Sequence, residues 1–366
     1  MFFDLPIADG VKDMWQRLSR ESRPIVVYGM GNGADKLFSR FEKYGIKVSD
    51  VFASDGFVRG HSYRGYRVKT YAEISETYPD FVIVVSFASR LPGVIEYIKE
   101  LSKKHDLYIP DMPVDGGEYF DCGFYAEHYN ELSRAQALLY DDESKSLFSE
   151  IVKYKLSGDI NYLGSTVTTD AMYSLLSKKP VSTAIDAGAY NGDTAREMKR
   201  YFKELKRIYA IEPDRRNFKK LLKYSEAESD IEVIPLNAAV SDSDGVVDFA
   251  DSGNRNSSIS STRSFEHSES EVRSVSLNTI TDEKIDYIKY DVEGAEYSAL
   301  LGSLEVVKRD RPALLVSLYH RSSDLYRLPL MLFDELSGYR FYLVRLRCIP
   351  AWELNLILIP EETYER

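Results

Sequence analysis

The sequence predicts an α/β protein with a large, doubly wound sheet in its C-terminal half and a smaller α/β unit at the N-terminus. Strands and helices alternate from Val181 onward, and apolar runs such as residues 81–87 have the length of buried parallel strands. Two glycine-rich turns each follow such a strand. The 366 residues are too many for one typical domain and suit two.

The first unit covers residues 1–115, and we interpret it as a Rossmann-like domain. Its first strand leads into GMGNGA, where Gly29, Gly31 and Ala34 satisfy the dinucleotide pattern G-x-G-x-x-A, and Asp55 falls near the ribose-binding position. Such a turn binds NAD(P), binds a nucleotide sugar or is structural, and the sequence leaves these alternatives open. The predicted elements are helices at 11–19, 35–44 and 92–102 and strands at 25–28, 47–53, 81–87 and 107–109.

Residues 116–165 are predicted to form a helical linker between the two domains. The segment PDMPVDGGEYFD, residues 110–121, is rich in proline, glycine and acid, as is typical of a boundary. Helices are expected at 125–140 and 143–156, with Asp141 and Asp142 as cap candidates for the second.

Residues 166–366 are predicted to form the large sheet. Its candidate strands lie at 181–186, 207–212, 231–236, 285–291, 312–319, 339–345 and 354–359. No obvious long helix separates the last two strands, so we expect them to pair as an antiparallel hairpin at the sheet edge.

A serine-rich segment interrupts this alternation. Ten of the 25 residues from Ser252 to Ser276 are serine, a composition that cannot bury a core. We expect a loop with a short hairpin formed by residues 246–249 and 272–275, acting either as a lid over a site or as a surface excursion.

Composition and charge exclude several classes of partner. The formal net charge of −11 argues against nucleic acid, because phosphate neutralisation needs clustered lysine and arginine. Cys122 and Cys348 lie far apart without a CxxC motif, so neither a zinc site nor a disulfide framework is indicated, and a cytoplasmic location is expected. No apolar run approaches the roughly 20 residues of a membrane span.

The most informative segment is IDAGAYNGDTA, residues 185–195, followed by IEPD. An apolar strand ends in Asp186, the chain then turns through Gly188 and Gly192, and a helix begins. The next strand ends in Glu212, about twenty residues after Gly192, where a ribose-binding acid is expected. The glycines do not follow the dinucleotide spacing, so a nucleoside without phosphates, adenosine carrying a sulfonium methionine, suits the turn better. The competing interpretation makes Glu212 a helix cap or a solvated turn acid.

Ligands of an open α/β sheet bind outside the carboxyl ends of its strands, and here those ends carry polar groups. The first three strand ends, which we predict to bind the cofactor, present Asp186, Gly188, Tyr190, Asn191, Gly192, Asp193, Glu212, Asn237 and Ala238. The fourth and fifth strand ends present Asp291, Glu293, Glu296, Tyr319, His320 and Arg321.

Asp291, Glu293 and His320 form the predicted catalytic group. His320 is the candidate general base because its ordinary pKa lies near neutrality, and it ends the strand that follows Asp291. Alternatively, Asp291 caps the next helix and His320 is a strand-end histidine. A divalent cation held by these residues and Glu296 is a further alternative, but no second histidine supports it and we predict no metal.

The segments DAGAYNGDT, IEPD, LNAAVSD, SLNTITD, IKYDVEGAE and SLYHRSSDL occur in an order that resembles the FkbM family of S-adenosylmethionine-dependent methyltransferases, over residues 148–360. The resemblance implies a seven-stranded class I methyltransferase sheet. It also implies that Asp291 lines the methyl-transfer site, and that the donor is contacted by Asp186, Gly188, Gly192 and Glu212, with Asn237 and Ala238 beside the adenine. Many members methylate hydroxyls of sugars, polyketides or other natural products. At position 290 this chain has tyrosine where isoleucine is commoner in the family, which is a conservative difference within a strand.

We therefore predict an S-adenosyl-L-methionine-dependent methyltransferase that acts on a hydroxyl of a sugar or natural product. A nucleotide-linked acceptor and a homo-oligomer are left open. The alternatives are an NAD(P)-dependent oxidoreductase or a nucleotide-sugar-binding protein that uses the N-terminal domain, and a non-catalytic module that binds S-adenosylmethionine.

Overall fold

Two β-sheets organise the chain, one in each half. The computed structural model describes residues 6–58, 60–250 and 269–364. It places a four-stranded sheet in the N-terminal half and a seven-stranded sheet in the C-terminal half. No helix in these three ranges is long and apolar enough to cross a membrane.

The N-terminal sheet is parallel and its strands are almost entirely buried. The elements of this half are α1 (Met14–Leu18), β1 (Ile25–Tyr28), α2 (Asn32–Tyr44), β2 (Asp50–Phe52), β3 (Ser62–Tyr63), β4 (Tyr66–Arg67), α3 (Tyr71–Thr77), β5 (Val82–Val85), α4 (Pro92–Ser102) and β6 (Leu107–Tyr108). The strand order is β2-β1-β5-β6, and β3 and β4 form a separate antiparallel hairpin. The predicted strands and helices are present, although the strands expected at 47–53 and 81–87 are shorter.

The chain after β5 packs against part of the GMGNGA turn that follows β1. A Cβ on Gly29 would contact the side chains of Ser86 and Phe87, and a Cβ on Gly33 would overlap the carbonyl oxygen of Ser86. Both glycines therefore permit the chain after β5 to pack against the turn. This packing explains Gly29 and Gly33 without a ligand, whereas nothing lies within 4 Å of a Cβ at Gly31, and the Rossmann-like assignment of residues 1–115 remains a prediction.

Three helices connect the two sheets: α5 (Cys122–Glu127), α6 (Tyr129–Leu138) and α7 (Asp142–Ser157). The single helix predicted at 125–140 is wrong. The helix begins earlier because the Asp121 side chain caps it, accepting from the N–H groups of Gly123 and Phe124 at 3.0 and 3.1 Å, and it is interrupted at His128. The next predicted helix is confirmed as α7, whose cap is Asp141.

The seven predicted strands of the C-terminal half are confirmed and form one mixed sheet. The elements are α8 (Thr169–Leu176), β7 (Thr183–Ala187), α9 (Asp193–Tyr201), β8 (Arg207–Ile211), α10 (Arg215–Ala227), β9 (Glu232–Leu236), β10 (Ala239–Val240), β11 (Gly245–Ala250), β12 (Glu269–Val275), β13 (Tyr287–Tyr290), α11 (Glu296–Leu301), α12 (Leu304–Asp310), β14 (Ala313–Ser317), α13 (Asp324–Glu335), β15 (Tyr339–Arg345) and β16 (Leu354–Pro360). The order is β15-β16-β14-β13-β7-β8-β9. β16 inserts between β14 and β15 and runs antiparallel to both, so the predicted hairpin is present with β15 at the edge.

A small third sheet has the order β10-β12-β11. Its antiparallel pair β11 and β12, with Val247 opposite Val272, confirms the predicted hairpin. The serine-rich segment predicted to be a lid or surface loop falls largely at residues 251–268, which lie outside the described residues.

The two halves share a core. One buried apolar cluster extends from Val26 in β1 through Phe148 in α7 to Ile185 in β7. The loops after β5 and β15 also pair: Ser89 and Ile349 exchange two backbone hydrogen bonds, of 2.7 and 3.0 Å. The N-terminal half is thereby held against the edge of the large sheet, while the domain boundaries at 115 and 165 remain predictions.

We predict that Gly33→Ala lowers the free energy of unfolding by about 2 kcal/mol, because the added methyl must displace the backbone of Ser86. Urea denaturation measures this change. Gly93→Ala is the matched control, because nothing lies within 4 Å of a Cβ at that position in α4, and we expect it to be nearly neutral. Equal stability of the two variants would show that the chain after β5 does not pack closely against Gly33.

Candidate active site

A cavity of about 620 Å³ lies at the carboxyl ends of the strands of the seven-stranded sheet. Its wall includes Gly188 after β7, Glu212 after β8, Ala238 after β9, Asp291 after β13 and Tyr319 after β14. This volume is within the range of cofactor and small-molecule sites. The strand ends selected from the sequence therefore border one space.

Glycine is required at two positions of the turn after β7. Gly188 has φ of 90°, and a Cβ there would overlap the carbonyl oxygen of Asp291. Gly192 has φ of 81° at the start of α9, and a Cβ there would overlap the ring of Tyr224. Both residues occupy left-handed backbone space that favours glycine, and both allow a close approach. The turn consequently packs directly on the loop that carries Asp291.

Glu212 is fixed at the cavity wall by the backbone. Its Oε2 accepts from the N–H of Tyr190 at 2.8 Å, and its Oε1 accepts from the N–H of Asp214 at 3.0 Å. Tyr190 also lines the cavity and adopts a left-handed φ of 48° without being glycine. The Glu212 residue is 7% exposed, and burial raises the pKa of its carboxyl to about 8, opposed by the two N–H donors.

The alternative role of Glu212 as a helix cap is wrong. Asp214 caps α10, since its Oδ1 accepts from the N–H groups of Arg216 and Asn217, each at 2.9 Å. Glu212 is also not a solvated turn acid, because it is buried. Its oxygens retain acceptor capacity beyond the two backbone bonds, which suits a pair of neighbouring hydroxyl groups.

The other predicted cofactor-binding residues divide into two groups. Asp193 and Ala238 line the cavity. Asn237 instead supports the wall, because its Nδ2 donates to the carbonyl oxygens of Glu212 and Pro213 at 2.8 and 3.1 Å. The buried Oδ1 of Asn191 has no hydrogen-bond partner among the described residues.

Lys289 joins two acidic residues at the sheet edge. It lies directly opposite Asp186 in the β13 and β7 pair. Its Nζ is 3.6 Å from Asp186 Oδ1 and 3.2 Å from Asp291 Oδ2. Burial opposes the charge of this ammonium, but the carboxylates of Asp291 and Asp186 raise its pKa above the ordinary value.

Asp186 is fully buried beside this lysine. Burial raises the pKa of its carboxyl to about 7, although Lys289 acts in the opposite direction. Neither carboxylate oxygen has a hydrogen-bond partner among the described residues. Because Asp186 lies behind the cavity wall, it acts on the cavity through Lys289, which lines it.

Asp291 is held from three sides. Besides Lys289, the hydroxyls of Tyr319 and Ser317 donate to its Oδ1 at 2.9 and 3.1 Å. Burial alone would raise the pKa of this carboxyl, but Lys289, His320 and the Tyr319 hydroxyl bring it below its usual range. Asp291 does not cap α11, whose cap position is Ala295. The alternative role of Asp291 as a cap is therefore wrong.

Glu293 lines the cavity next to Asp291. It has a left-handed φ of 53°, a strained conformation for a residue with a side chain. Burial raises the pKa of its carboxyl, and contacts with His320 partly offset that rise.

His320 is fully buried and lies behind the cavity wall. Its Nδ1 is 2.9 Å from Glu296 Oε1, and its Nε2 is 3.4 Å from Glu293 Oε2 and 3.6 Å from Asp291 Oδ1. Burial opposes protonation, but Glu296 and Glu293 raise the pKa of the imidazole well above its ordinary value. Asp291, Glu296 and His320 also each place a potential metal-ligand atom within 4.8 Å of the other two.

The N-terminal half closes this cluster from behind. The N–H groups of Val114 and Asp115 donate to the carbonyl oxygen of His320 at 2.9 and 3.2 Å. The carboxylate of Asp115 pairs with Arg321 at 2.6 Å and occupies the space that a Cβ on Gly294 would need. The segment that the sequence marks as a domain boundary is thus part of the site.

The structure brings most of the predicted residues to the cavity and leaves others behind it. The predicted residues in the wall are Gly188, Tyr190, Asp193, Glu212, Ala238, Asp291 and Glu293. Those outside the wall are Asp186, Asn191, Gly192, Asn237 and His320.

Sequence reasoning missed Lys289 and Arg90, which both line the cavity. A signal for Lys289 was available, because it is the one charged residue between Tyr287 and Tyr290 in an otherwise apolar strand. Arg90 comes from the N-terminal half and pairs with Glu353, and no local pattern indicates that long-range contact.

Comparison with known proteins supports the resemblance noted in the sequence. Residues 186–341 match the family described as the methyltransferase FkbM domain. The methyltransferase FkbM from Methylobacillus flagellatus KT has a similar structure, with a TM-score of 0.73 and 18% sequence identity, over 94% of this chain and 92% of that chain. The predicted fold, with its large class I sheet, is thereby confirmed, and the family match supports S-adenosylmethionine as the cofactor.

Other solved structures overlap far less. An rRNA methylase from Streptococcus thermophilus has a TM-score of 0.34 at 12% identity, over 54% of this chain and 99% of that chain. Fibrillarin from Aeropyrum pernix, with natively bound S-adenosyl-L-methionine, has a TM-score of 0.31 at 16% identity, over 52% of this chain and 73% of that chain. Structural similarity this low does not indicate what this chain binds or does. A comparison with curated proteins finds no match.

We predict that Lys289→Met lowers the free energy of unfolding by about 3 kcal/mol, because it leaves Asp186 and Asp291 buried without their shared cation. Chemical denaturation at neutral pH measures this change. Lys284→Met is the control, because the exposed Lys284 lies 3.5 Å from Asp286, and we expect little effect there. Similar results for the two variants would contradict the role assigned to Lys289.

Proposed function

We propose that this chain, which contains a methyltransferase FkbM domain at residues 186–341, binds S-adenosylmethionine and methylates a hydroxyl group of a sugar or related natural product. The observation that carries the proposal is the buried Glu212 carboxylate, held at the cavity wall by two backbone N–H groups. This arrangement is rigid, so the two oxygens are positioned before a ligand arrives.

The residues around the cavity fit the proposed donor. Glu212 offers its two oxygens to the vicinal hydroxyls of a ribose, and Ala238 leaves room for a flat base beside it. Asp186 lies behind the wall and pairs with Lys289, so it holds that lysine at the cavity and does not face the donor itself. In this arrangement Gly188 and Tyr190 border the chain between sugar and sulfur.

Asp291 and Glu293 line the part of the cavity assigned to the acceptor. S-adenosylmethionine supplies a methyl group already activated by its sulfonium, so the protein has to orient the acceptor and remove one proton. As the sulfur–carbon bond breaks and the oxygen–carbon bond forms, the group formed by Asp291, Glu293 and His320 takes up the hydroxyl proton. Neither a nucleophilic cysteine nor a Ser-His-Asp arrangement is needed.

Neutral hydrogen-bonding side chains support a hydroxyl-rich acceptor. Thr168, Ser317, Tyr319 and Asn355 all line the cavity. Such groups donate to and accept from hydroxyls without the desolvation cost of an unpaired charge. We therefore favour a carbohydrate or a similar polyol over an apolar acceptor.

No specific observation favours redox chemistry in the N-terminal half. Packing against Ser86 and Phe87 explains Gly29 and Gly33. A non-catalytic module that binds S-adenosylmethionine would differ from the proposed enzyme in turnover. Incubation with the donor and a panel of sugars, including nucleotide-linked ones, distinguishes the two by formation of S-adenosylhomocysteine.

Glu212→Gln is expected to weaken the binding of S-adenosylhomocysteine at least about tenfold, because one acceptor oxygen is replaced by a donor. Glu212→Ala is expected to weaken it further. Isothermal titration calorimetry measures both affinities. Glu232→Gln is the control, because this exposed acid lies at the opposite end of the neighbouring strand β9. Absence of binding by the natural protein, or equal affinities across the variants, would overturn the donor site.

Binding of S-adenosylhomocysteine is also expected to release a proton from Glu212. Burial raises the pKa of this carboxyl to about 8, with Asp214 and Asp186 adding to the rise, so most molecules carry the proton at about pH 7. Ribose hydroxyls that donate to both oxygens favour the carboxylate and lower that pKa. Affinity should therefore rise from about pH 6 to about pH 8 and then level off.

Calorimetry in two buffers of different ionisation enthalpy counts the released protons. We expect roughly one more proton per bound ligand in the natural protein than in Glu212→Gln at about pH 7. Identical proton counts would show that Glu212 does not accept from the ligand.

A further inference from the structure

Two carboxylates face the His320 ring, one at each nitrogen. Glu296 Oε1 lies 2.9 Å from Nδ1, and Glu293 Oε2 lies 3.4 Å from Nε2. A neutral imidazole has one N–H and one lone pair, so one of its nitrogens would turn a lone pair toward an anionic oxygen, which repels it. A doubly protonated ring has no lone pair and places its positive charge between the two carboxylates. The geometry therefore favours the imidazolium form.

The surroundings of the ring are consistent with a cation. Asp291 lies 3.6 Å from Nε2, and Asp324 at the start of α13 also interacts electrostatically with His320. The nearby cations are engaged elsewhere. Arg321 pairs with Asp115, and Lys289 pairs with Asp186 and Asp291. Lys36, which also interacts electrostatically with Glu293, donates to the carbonyl oxygens of Pro113 and Val114 at 3.0 and 2.8 Å. A charged imidazole offsets the excess of buried acid.

The contacts of His320 are ion pairs without well-aligned hydrogen bonds. Neither ring nitrogen meets the angular requirements of a hydrogen bond, although the ring is fully buried. Coulombic attraction depends on distance more than on angle, so the charged ring is stabilised in this position.

Glu296 links the ring to the loop that carries Glu293. Its Oε1 accepts from the N–H of Val292 at 2.9 Å, and its Oε2 accepts from the N–H of Gly294 at 3.1 Å. One buried carboxylate therefore fixes both neighbours of Glu293 in the chain and one nitrogen of His320. This explains the left-handed backbone at Glu293, because the flanking N–H groups are both held by Glu296.

We propose that His320 is a permanent imidazolium cation, that Glu293 is the catalytic residue that takes the proton from the acceptor hydroxyl, and that Glu296 is a positioning residue for both. This assignment rests on the proposed methyl transfer and replaces the expectation that His320 is the base. A protonated imidazole has no lone pair, whereas the Glu293 carboxylate lines the cavity.

In the proposed methyl transfer, Glu293 gains the hydroxyl proton and becomes a neutral carboxylic acid. The acceptor oxygen gains the methyl group, and the donor sulfur keeps the electron pair of the broken bond. Glu293 then returns the proton to water through the cavity. His320 stays charged throughout and stabilises the carboxylate before the transfer.

Nuclear magnetic resonance of protein labelled with ¹⁵N-histidine tests the charge without any acceptor. The chain has five histidines, and a His320→Gln variant identifies the relevant signals. We expect both ring nitrogens of His320 to be protonated at about pH 7.5, above the ordinary pKa of about 6.5. We expect Glu296→Gln to lower its titration midpoint by about one pH unit or more. Glu305→Gln, an exposed acid in α12, is the matched control and should leave the midpoint unchanged.

Titration of His320 near its ordinary pKa, or an equal midpoint in Glu296→Gln, would overturn the proposal. So would stoichiometric Zn²⁺ or Mn²⁺ that perturbs the His320 signals, because a metal ligand cannot be an imidazolium. Binding of S-adenosylhomocysteine by Glu296→Gln and Glu293→Gln reports separately that the variants are folded. If the natural protein fails to bind that ligand, the proposed function is wrong, but the resonance experiment still determines the charge of His320.

Glu293→Gln separates the catalytic role from a structural one. Once an acceptor is found, we expect turnover to fall at least about 100-fold while the affinity for S-adenosylhomocysteine changes less than about twofold. Turnover that survives this substitution would show that Glu293 is not the base.

Discussion

The ion pairs of Lys289 with Asp186 and Asp291 are the constraint on which the rest of the site depends. Parallel strands deliver their carboxyl ends to one edge, and β7 and β13 are neighbours, so their terminal acids are brought close together. Two buried carboxylates repel each other unless a cation separates them. Lys289 supplies that cation from within the sheet, and the turn at Gly188 can then pack directly on the Asp291 carbonyl.

From this edge the site divides into a donor part and an acceptor part. On one side two backbone N–H groups, of Tyr190 and Asp214, hold Glu212. On the other side Asp291, Glu293 and Glu296 surround a buried histidine. A cationic sulfonium between the two parts would face acid on both sides, which is favourable for a positively charged donor and unfavourable for an anionic one.

The order of strands and the donor side were predictable from the sequence because they depend on local patterns. Apolar runs identify the strands of the large sheet, and the turn that begins at Gly188 with the acid at Glu212 marks the ligand edge. Local patterns do not reveal which polar side chain is covered by another element. His320 ends a strand like the other candidates, but Val114 and Asp115 cover it from a distant segment.

The GMGNGA turn is a second case in which a local pattern does not show what packs against it. Its spacing fits a dinucleotide pattern, yet the chain after β5 packs on Gly29 and Gly33, while the space beside Gly31 is open. A glycine permits any close approach, and the sequence does not say whether the approaching atoms belong to a ligand or to the protein. The interruption of the linker helix at His128 also has no marker such as proline or glycine.

A crystal structure of the protein grown with S-adenosylhomocysteine tests the central claim most directly. We expect both ribose hydroxyls to lie within hydrogen-bond distance of the two Glu212 oxygens and the sulfur to point toward Asp291 and Glu293. A ligand whose ribose lies away from Glu212, or whose sulfur points away from those two carboxylates, would contradict it.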